Sequence, residues 1–110
     1  MKRTIEPAAT PQPRRKRHAE NAPASPDREA LLGLFRSMLV IRLTEEELAR
    51  CHQRGLIHGA CHTYVGQEAI AAGVCGHLEP ADVIFSTHRG HGHALAKGLP
   101  PGQLIAELFG

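Results

Sequence analysis

A chain of 110 residues has room for one small domain and no more, and it has only four aromatic side chains with which to fill a core, Phe35, Tyr64, Phe85 and Phe109. Its formal charge of +2 is unevenly divided: residues 1–26 carry six Lys/Arg against two Glu, whereas residues 27–110 carry seven against nine, so the positive balance belongs to the beginning of the chain. No run of about 18 apolar residues and no secretory apolar segment is present, so neither a membrane span nor export is supported.

Residues 1–26 hold five of the eight prolines and no Leu, Val, Phe, Tyr or Trp. Such a stretch has too little apolar surface to offset the entropy of ordering it, and it is expected to be a disordered basic tail. The cluster Arg14-Arg15-Lys16-Arg17 resembles a nucleic-acid or import patch in composition. A solvated tail that aids solubility is the favoured reading of such a charge run. Glu6, Glu20 and the prolines argue against a mitochondrial transit peptide.

Ser25-Pro26-Asp27 reads as a helix start, with Ser25 as the cap, Pro26 at the first helical position and Asp27 at the positive end of the dipole. No proline interrupts the chain from there to Arg54, and Gly55 stands where helices commonly stop. Leu31, Leu34, Phe35, Met38, Ile41 and Leu48 recur at helical spacing on one side. Met38-Leu39-Val40-Ile41 is apolar all the way round one turn, which calls for cover on more than one side, from further chain or a partner subunit. Glu45-Glu46-Glu47 with Arg50 and Arg54 reads as a solvated face with charge pairs one turn apart.

Ten of the eleven glycines lie from Gly55 onward, so the backbone there turns tightly or approaches something closely. A loop is expected over 56–65, a helix of small residues over 66–78, a turn over 79–82 and a short buried strand over 83–86. A Gly/His-rich turn, 87–92, then leads into a helix through Lys97, and Pro100-Pro101 opens a last helix that reaches Phe109. The three cysteines, Cys51, Cys61 and Cys75, are odd in number and widely spaced, which is no disulfide framework and fits a reducing cytosol.

Two clusters hold the residues capable of chemistry. In the first, Gly55 to Ala69, a glycine-punctuated loop with His58 and His62 leads into a helix. In the second, Ser86-Thr87-His88-Arg89-Gly90-His91-Gly92-His93, the expected strand ends in an arginine and three histidines beside a helix start. Free N–H groups and a planar cationic fork make the second a candidate phosphate cradle, beyond the carboxyl end of a strand where open α/β sheets take ligands. His62 alone is more commonly a hydrogen-bonded loop histidine than a catalyst. His88, His91 and His93 are a candidate zinc set, but no C-x-x-C pair and no histidine pair at helical i,i+4 spacing accompanies them. Composition by itself stops at a phosphate-binding α/β segment.

Taken together, "MLVIR" with the acidic run after it, "GLIHGACHTYVGQEAIAAGVCGHL", "DVIFSTHRGHGHALAKG" and "AELFG" resemble the alpha subunit of the decarboxylating component of 2-oxo acid dehydrogenase complexes, of the pyruvate or acetoin type. The likeness runs from Asp27 to Gly110 and leaves out the tail; "CHTYVGQEA" and "HRGHGH" are its specific parts. It implies the first part of an α/β thiamine-diphosphate-binding fold, mostly helical over this stretch. It implies thiamine diphosphate with Mg2+ between an alpha and a beta subunit, usually in a heterotetramer. The implied reaction is oxidative cleavage of a 2-oxo acid or of acetoin, with the acyl group passed to the lipoyl group of an acyltransferase component. By the same resemblance Arg89 meets the cofactor phosphate, and His88 stands where the pyruvate branch often has a phosphate-bonding tyrosine, a substitution that looks more like the acetoin-cleaving branch. His91 matches a further histidine of the phosphate-side turn, and His62 the active-site loop histidine beside the reacting ring. The family's Gly-Asp-Gly motif with its later Asn, which holds Mg2+, would lie beyond Gly110, so no metal ligand is expected here and these residues alone are expected to be an inactive N-terminal fragment.

The expected domains are thus a tail, 1–26, and a partial thiamine-diphosphate-binding domain, 27–110, in a cytoplasmic enzyme subunit that binds neither nucleic acid nor membrane. The rival is a free-standing module that uses the His/Cys set for metal or the basic tail for nucleic acid.

Overall fold

The computed structural model describes residues 27–110, and the expected basic tail, Ser25 and Pro26 lie outside the described residues. Four helices follow in order: α1 (Arg28–Gln53), α2 (Glu68–Cys75), α3 (Gly90–Ala96) and α4 (Pro101–Phe109). The cap of α1 is Asp27 and not Ser25 as expected: its carboxylate accepts a 2.7 Å hydrogen bond from the Ala30 amide, so the helix begins at Arg28 instead of Pro26. At the other end the Arg54 amide donates to the Arg50 carbonyl and the Leu56 amide to the Cys51 carbonyl, while Gly55 takes a left-handed φ of 72°.

The long α1 is the platform on which α2, α3 and α4 pack. The core gathers Ile41, Leu48 and Cys51 of α1, Ile57 and Tyr64 of the loop, Ala71 of α2, Leu95 of α3 and Leu104 of α4. All three cysteines are free thiols, and burial pushes the Cys61 and Cys75 thiols upward from the ordinary range. Among the described residues no helix is long and apolar enough to cross a membrane.

Three further expectations are corrected. The segment 83–86 is no buried strand: it pairs with nothing among the described residues, and Val83 and Phe85 are 78% and 96% exposed. A strand exists only through its ladder of hydrogen bonds to a neighbour, and these residues supply none. The apolar residues of α1 are fully buried only from Ile41 onward; Leu34 and Met38 are half-buried, with Leu34 against the end of α2 at Gly76, and Leu31, Leu32, Phe35, Leu39 and Leu43 stay exposed. The acidic run is not uniformly solvated either. Glu45 is 0% exposed, since it follows Ile41 by four residues and precedes Leu48 by three and so shares their face. Glu46 and Glu47 do keep to the surface side, pairing with Arg42 and Arg50.

Candidate functional site

The loop after α1 is pinned at both ends and free in the middle. Ile57 and Tyr64 are buried in the core, and the His52 ring bonds the Gly59 carbonyl at 2.8 Å. Glu68, at the start of α2, draws the end of the loop inward: its Oε1 accepts from the Gly66 amide at 2.9 Å and from Arg42 Nε at 2.6 Å. Between these anchors His62 is exposed.

The Glu68 junction has a measurable acid signature. The Arg42 hydrogen bond lowers the Glu68 carboxyl from its ordinary 4.5 to about 2, with the Gly66 amide helping and burial opposing. A carboxyl depressed in the folded state stabilises the fold fully above its unfolded pKa. The contribution is lost as pH falls from about 4.5 toward 2. It is on the order of 2 kcal/mol. An acid titration of helical circular dichroism should therefore show a loss of structure below pH 4.5 that Glu68→Gln flattens; identical acid limbs for the two proteins would contradict the pairing.

The second cluster closes over the first. Arg89 caps α3 with φ 63° and ψ 31°, the left-handed region, and it is the only residue other than glycine with positive φ among those described. Such a conformation costs an L-residue roughly 1–2 kcal/mol, so the surrounding contacts must enforce it. One such contact is Gly92, buried under the Tyr64 ring so closely that a Cβ there would overlap the ring carbons. Another is His93, whose Nδ1 lies 3.3 Å from Ser86 Oγ and whose Nε2 lies 3.5 Å from the Tyr64 hydroxyl, ring edge to ring face with Tyr64. Burial pushes the Tyr64 phenol upward, which keeps it a neutral hydrogen-bonding group.

These contacts bring His62 of the loop and His88 of the turn together, ring centroids 5.6 Å apart and 63° between planes. Beside them opens a shallow cavity of roughly 370 Å³ lined by Tyr64, Gln67, Ser86, His88, Arg89 and His93 among others. His88 and Arg89 are exposed at its rim, and Arg89 has no ion-pair partner among the described residues. An exposed guanidinium with nothing to neutralise it, flanked by imidazoles and hydroxyls, suits an anion with several acceptor oxygens. With only seven residues, α3 adds little dipole, and the cationic side chains carry the preference.

His91 lies elsewhere. It turns away from the cavity toward α1, with Nδ1 3.2 Å from the buried Glu45 carboxylate. The sequence offered His93 only as one of a candidate zinc set and gave Tyr64 no role of its own, whereas together they hold the turn; the signal was a lone tyrosine in the loop and a glycine inside "HGH". Among the described residues no group of three or more His, Cys, Asp or Glu side chains is placed to hold a metal ion, which leaves the zinc set without support.

Comparison with known proteins places the chain in a family. Residues 36–110 match the family model described as "Dehydrogenase E1 component". The acetoin:2,6-dichlorophenolindophenol oxidoreductase alpha subunit of Bacillus subtilis is 45% identical over 82 residues, 74% of this chain and 25% of that protein. The protein of the same name from Cupriavidus necator is 44% identical over 95 residues, 86% of this chain and 28% of that one. The pyruvate dehydrogenase E1 component alpha subunit of Zymomonas mobilis is 47% identical over 85 residues, 76% of this chain and 24% of that one. The chain therefore spans about a quarter of the length of the curated relatives it matches. No solved structure matches it at a significant level.

Proposed function

Since this chain belongs to the dehydrogenase E1 component family, we propose that it carries the phosphate-side turn and the active-site loop of a thiamine-diphosphate-dependent alpha subunit acting on a 2-oxo acid or acetoin. The observation that supports this most is the meeting of His62 with His88 at the rim of the cavity that Arg89 also lines. Two segments that are 26 residues apart in sequence thereby present a cation for an anionic group and an imidazole for the reacting end.

The residues fit the cofactor's diphosphate. Arg89 would hold its oxygens as a two-pronged donor and His88 would add a further N–H, both from exposed positions on a rigidly held turn. His62 would orient the substrate carbonyl or carry a proton at a ring nitrogen, the imidazole being suited to either task near neutral pH. Tyr64, Ser86 and His93 position the turn through the two hydrogen bonds of the His93 ring. Thiamine diphosphate, when bound, supplies the nucleophilic carbon and the electron sink for carbon–carbon cleavage. Mg2+ needs hard oxygen ligands, and Arg89, His88 and His62 supply none.

The partners implied are a beta subunit that completes the cofactor cleft in a heterotetramer and a lipoyl-bearing acyltransferase component that takes the acyl group. Uncovered Phe35, Leu39 and Leu43 on α1 and Phe85 beyond α2 are the apolar surface that such an assembly would bury. The free thiols and the absence of any long apolar helix among the described residues suit a cytoplasmic subunit.

The test is reconstitution of a complete alpha subunit carrying this chain with its beta partner. Substrate-dependent dye reduction should require added thiamine diphosphate and should be seen with acetoin, pyruvate or a branched 2-oxo acid. His88 at the turn favours acetoin as the first substrate to assay. Activity with none of them, or activity indifferent to the cofactor, would overturn the reading.

A further inference from the structure

The Glu45 carboxylate is the least expected group in the core. It is 0% exposed, it stands between Ile41 and Leu48 on the inner face of α1, and its Oε1 has no hydrogen-bond partner among the described residues. An ionised carboxylate is expensive to bury unless a cation compensates it. The group nearest to doing so is the His91 imidazole, whose Nδ1 lies 3.2 Å from Oε1 and 3.5 Å from Oε2.

We propose that Glu45 is a positioning residue, which through the His91 ring ties the first turn of α3 to α1 and so holds Arg89 in the orientation that binds an anion. This rests on the reading of Arg89 as the diphosphate-side cation. The geometry makes the link short. Arg89 precedes His91 by two residues, and its left-handed backbone must be enforced from outside. Gly92 under the Tyr64 ring fixes one side of that turn, and the Glu45–His91 pair fixes the other.

Charge supports the same assignment. The Glu45 bond raises the His91 ring above its ordinary value; burial opposes this, and Glu107 of α4 adds to the rise. The Cys61 thiol also lies near the pair, pushed upward first by burial and then by Glu45. The pair is strongest below the folded-state pKa of His91 and weakens as pH rises through it.

Two measurements on the chain decide the matter. Ring carbon shifts of labelled histidines, followed by NMR between pH 5 and 9, should place the His91 midpoint above its ordinary value and lower it in Glu45→Gln. Inorganic pyrophosphate, used as the probe and followed at the Arg89 side-chain N–H, should bind about fivefold more weakly in Glu45→Gln near neutral pH. Its affinity should decline in the parent as pH rises through the His91 midpoint, a decline that Glu45→Gln lacks. The difference between the two profiles is the readout, because His88 and His93 are present in both.

An unchanged His91 midpoint, or pyrophosphate profiles that superpose, overturns the positioning role of Glu45 and leaves the anion reading standing. A coupled titration with no pyrophosphate response at Arg89 in the parent sinks the anion reading itself. Should Glu45→Gln fail to fold, His91→Gln tests the pair from the other side: it should remove the same pH-dependent step, and its persistence would overturn the proposal.

Discussion

If the proposed reading holds, His62→Ala in an alpha subunit reconstituted with a beta partner is expected to lower turnover by about 10²–10⁴-fold at saturating cofactor, the range typical of a lost general acid–base group. His62 is exposed on a loop whose ends are buried, so truncating it removes the ring without disturbing the anchors, Ile57 and Tyr64. Arg89→Ala gives the opposite pattern. A phosphate contact is made in ground and transition states alike, so its loss weakens cofactor binding rather than the chemical step. Losing a charge-assisted pair costs about 1.5–3 kcal/mol, or roughly ten- to over a hundredfold in affinity. Added thiamine diphosphate should therefore restore Arg89→Ala and leave His62→Ala slow. Arg89→Gly is the control, because glycine accepts the φ of 63° without strain. It should fold at least as well as the parent yet share the cofactor defect. Excess cofactor that rescues His62→Ala, or that fails to help a well-folded Arg89→Gly, would show that loop and turn have been assigned the wrong roles.

Gly92→Ala is expected to be among the most damaging single changes in the fold. A Cβ at this position would overlap the ring carbons of Tyr64, which is only 3% exposed and cannot swing into solvent without opening the core. Forcing a methyl group into a packed site costs about 1–3 kcal/mol. Here the upper part of that range applies, because displacing the ring also separates the Tyr64 hydroxyl from His93 Nε2. Gly73→Ala makes the contrast. It lies inside α2 with nothing within 4 Å of its would-be Cβ, so it should stabilise by up to about 1 kcal/mol through helix propensity. Chemical denaturation of the two variants should move the midpoint in opposite directions. In a double-mutant cycle, Tyr64→Ala with Gly92→Ala should lose less than the sum of the single changes, because truncating the ring removes the overlap. Additive losses, or a Gly92→Ala protein as stable as the parent, would mean that the ring and the glycine do not meet in solution.

The sequence alone reaches the helices and the family. Their positions follow from local causes that are written in the chain: a start signal around Ser25–Asp27, the stop at Gly55, small residues through α2, and Pro100-Pro101 ahead of α4. The structure moves the cap from Ser25 to Asp27. The motifs "CHTYVGQEA" and "HRGHGH" are contiguous, so their likeness to a dehydrogenase alpha subunit needs no folding to be seen. Individual errors came where the deciding neighbour is remote. Residues 83–86 have the composition of a buried strand, but a strand needs a partner ladder, and the described residues offer none.

Tertiary structure decided what faces what. Glu45 looked like one member of a solvated acidic run, and its inward register with Ile41 and Leu48 becomes decisive only when α3 packs over it and brings His91 within 3.2 Å. His91, grouped with its neighbours on the turn by sequence, is separated from them because successive helix positions about 100° apart send His91 toward α1 while His93 lines the cavity. The meeting of His62 with His88, and the left-handed backbone at Arg89, are likewise products of packing. Local sequence sets which conformations are cheap; only contacts between segments distant in the chain can hold a residue in an expensive one or pair two rings across a loop.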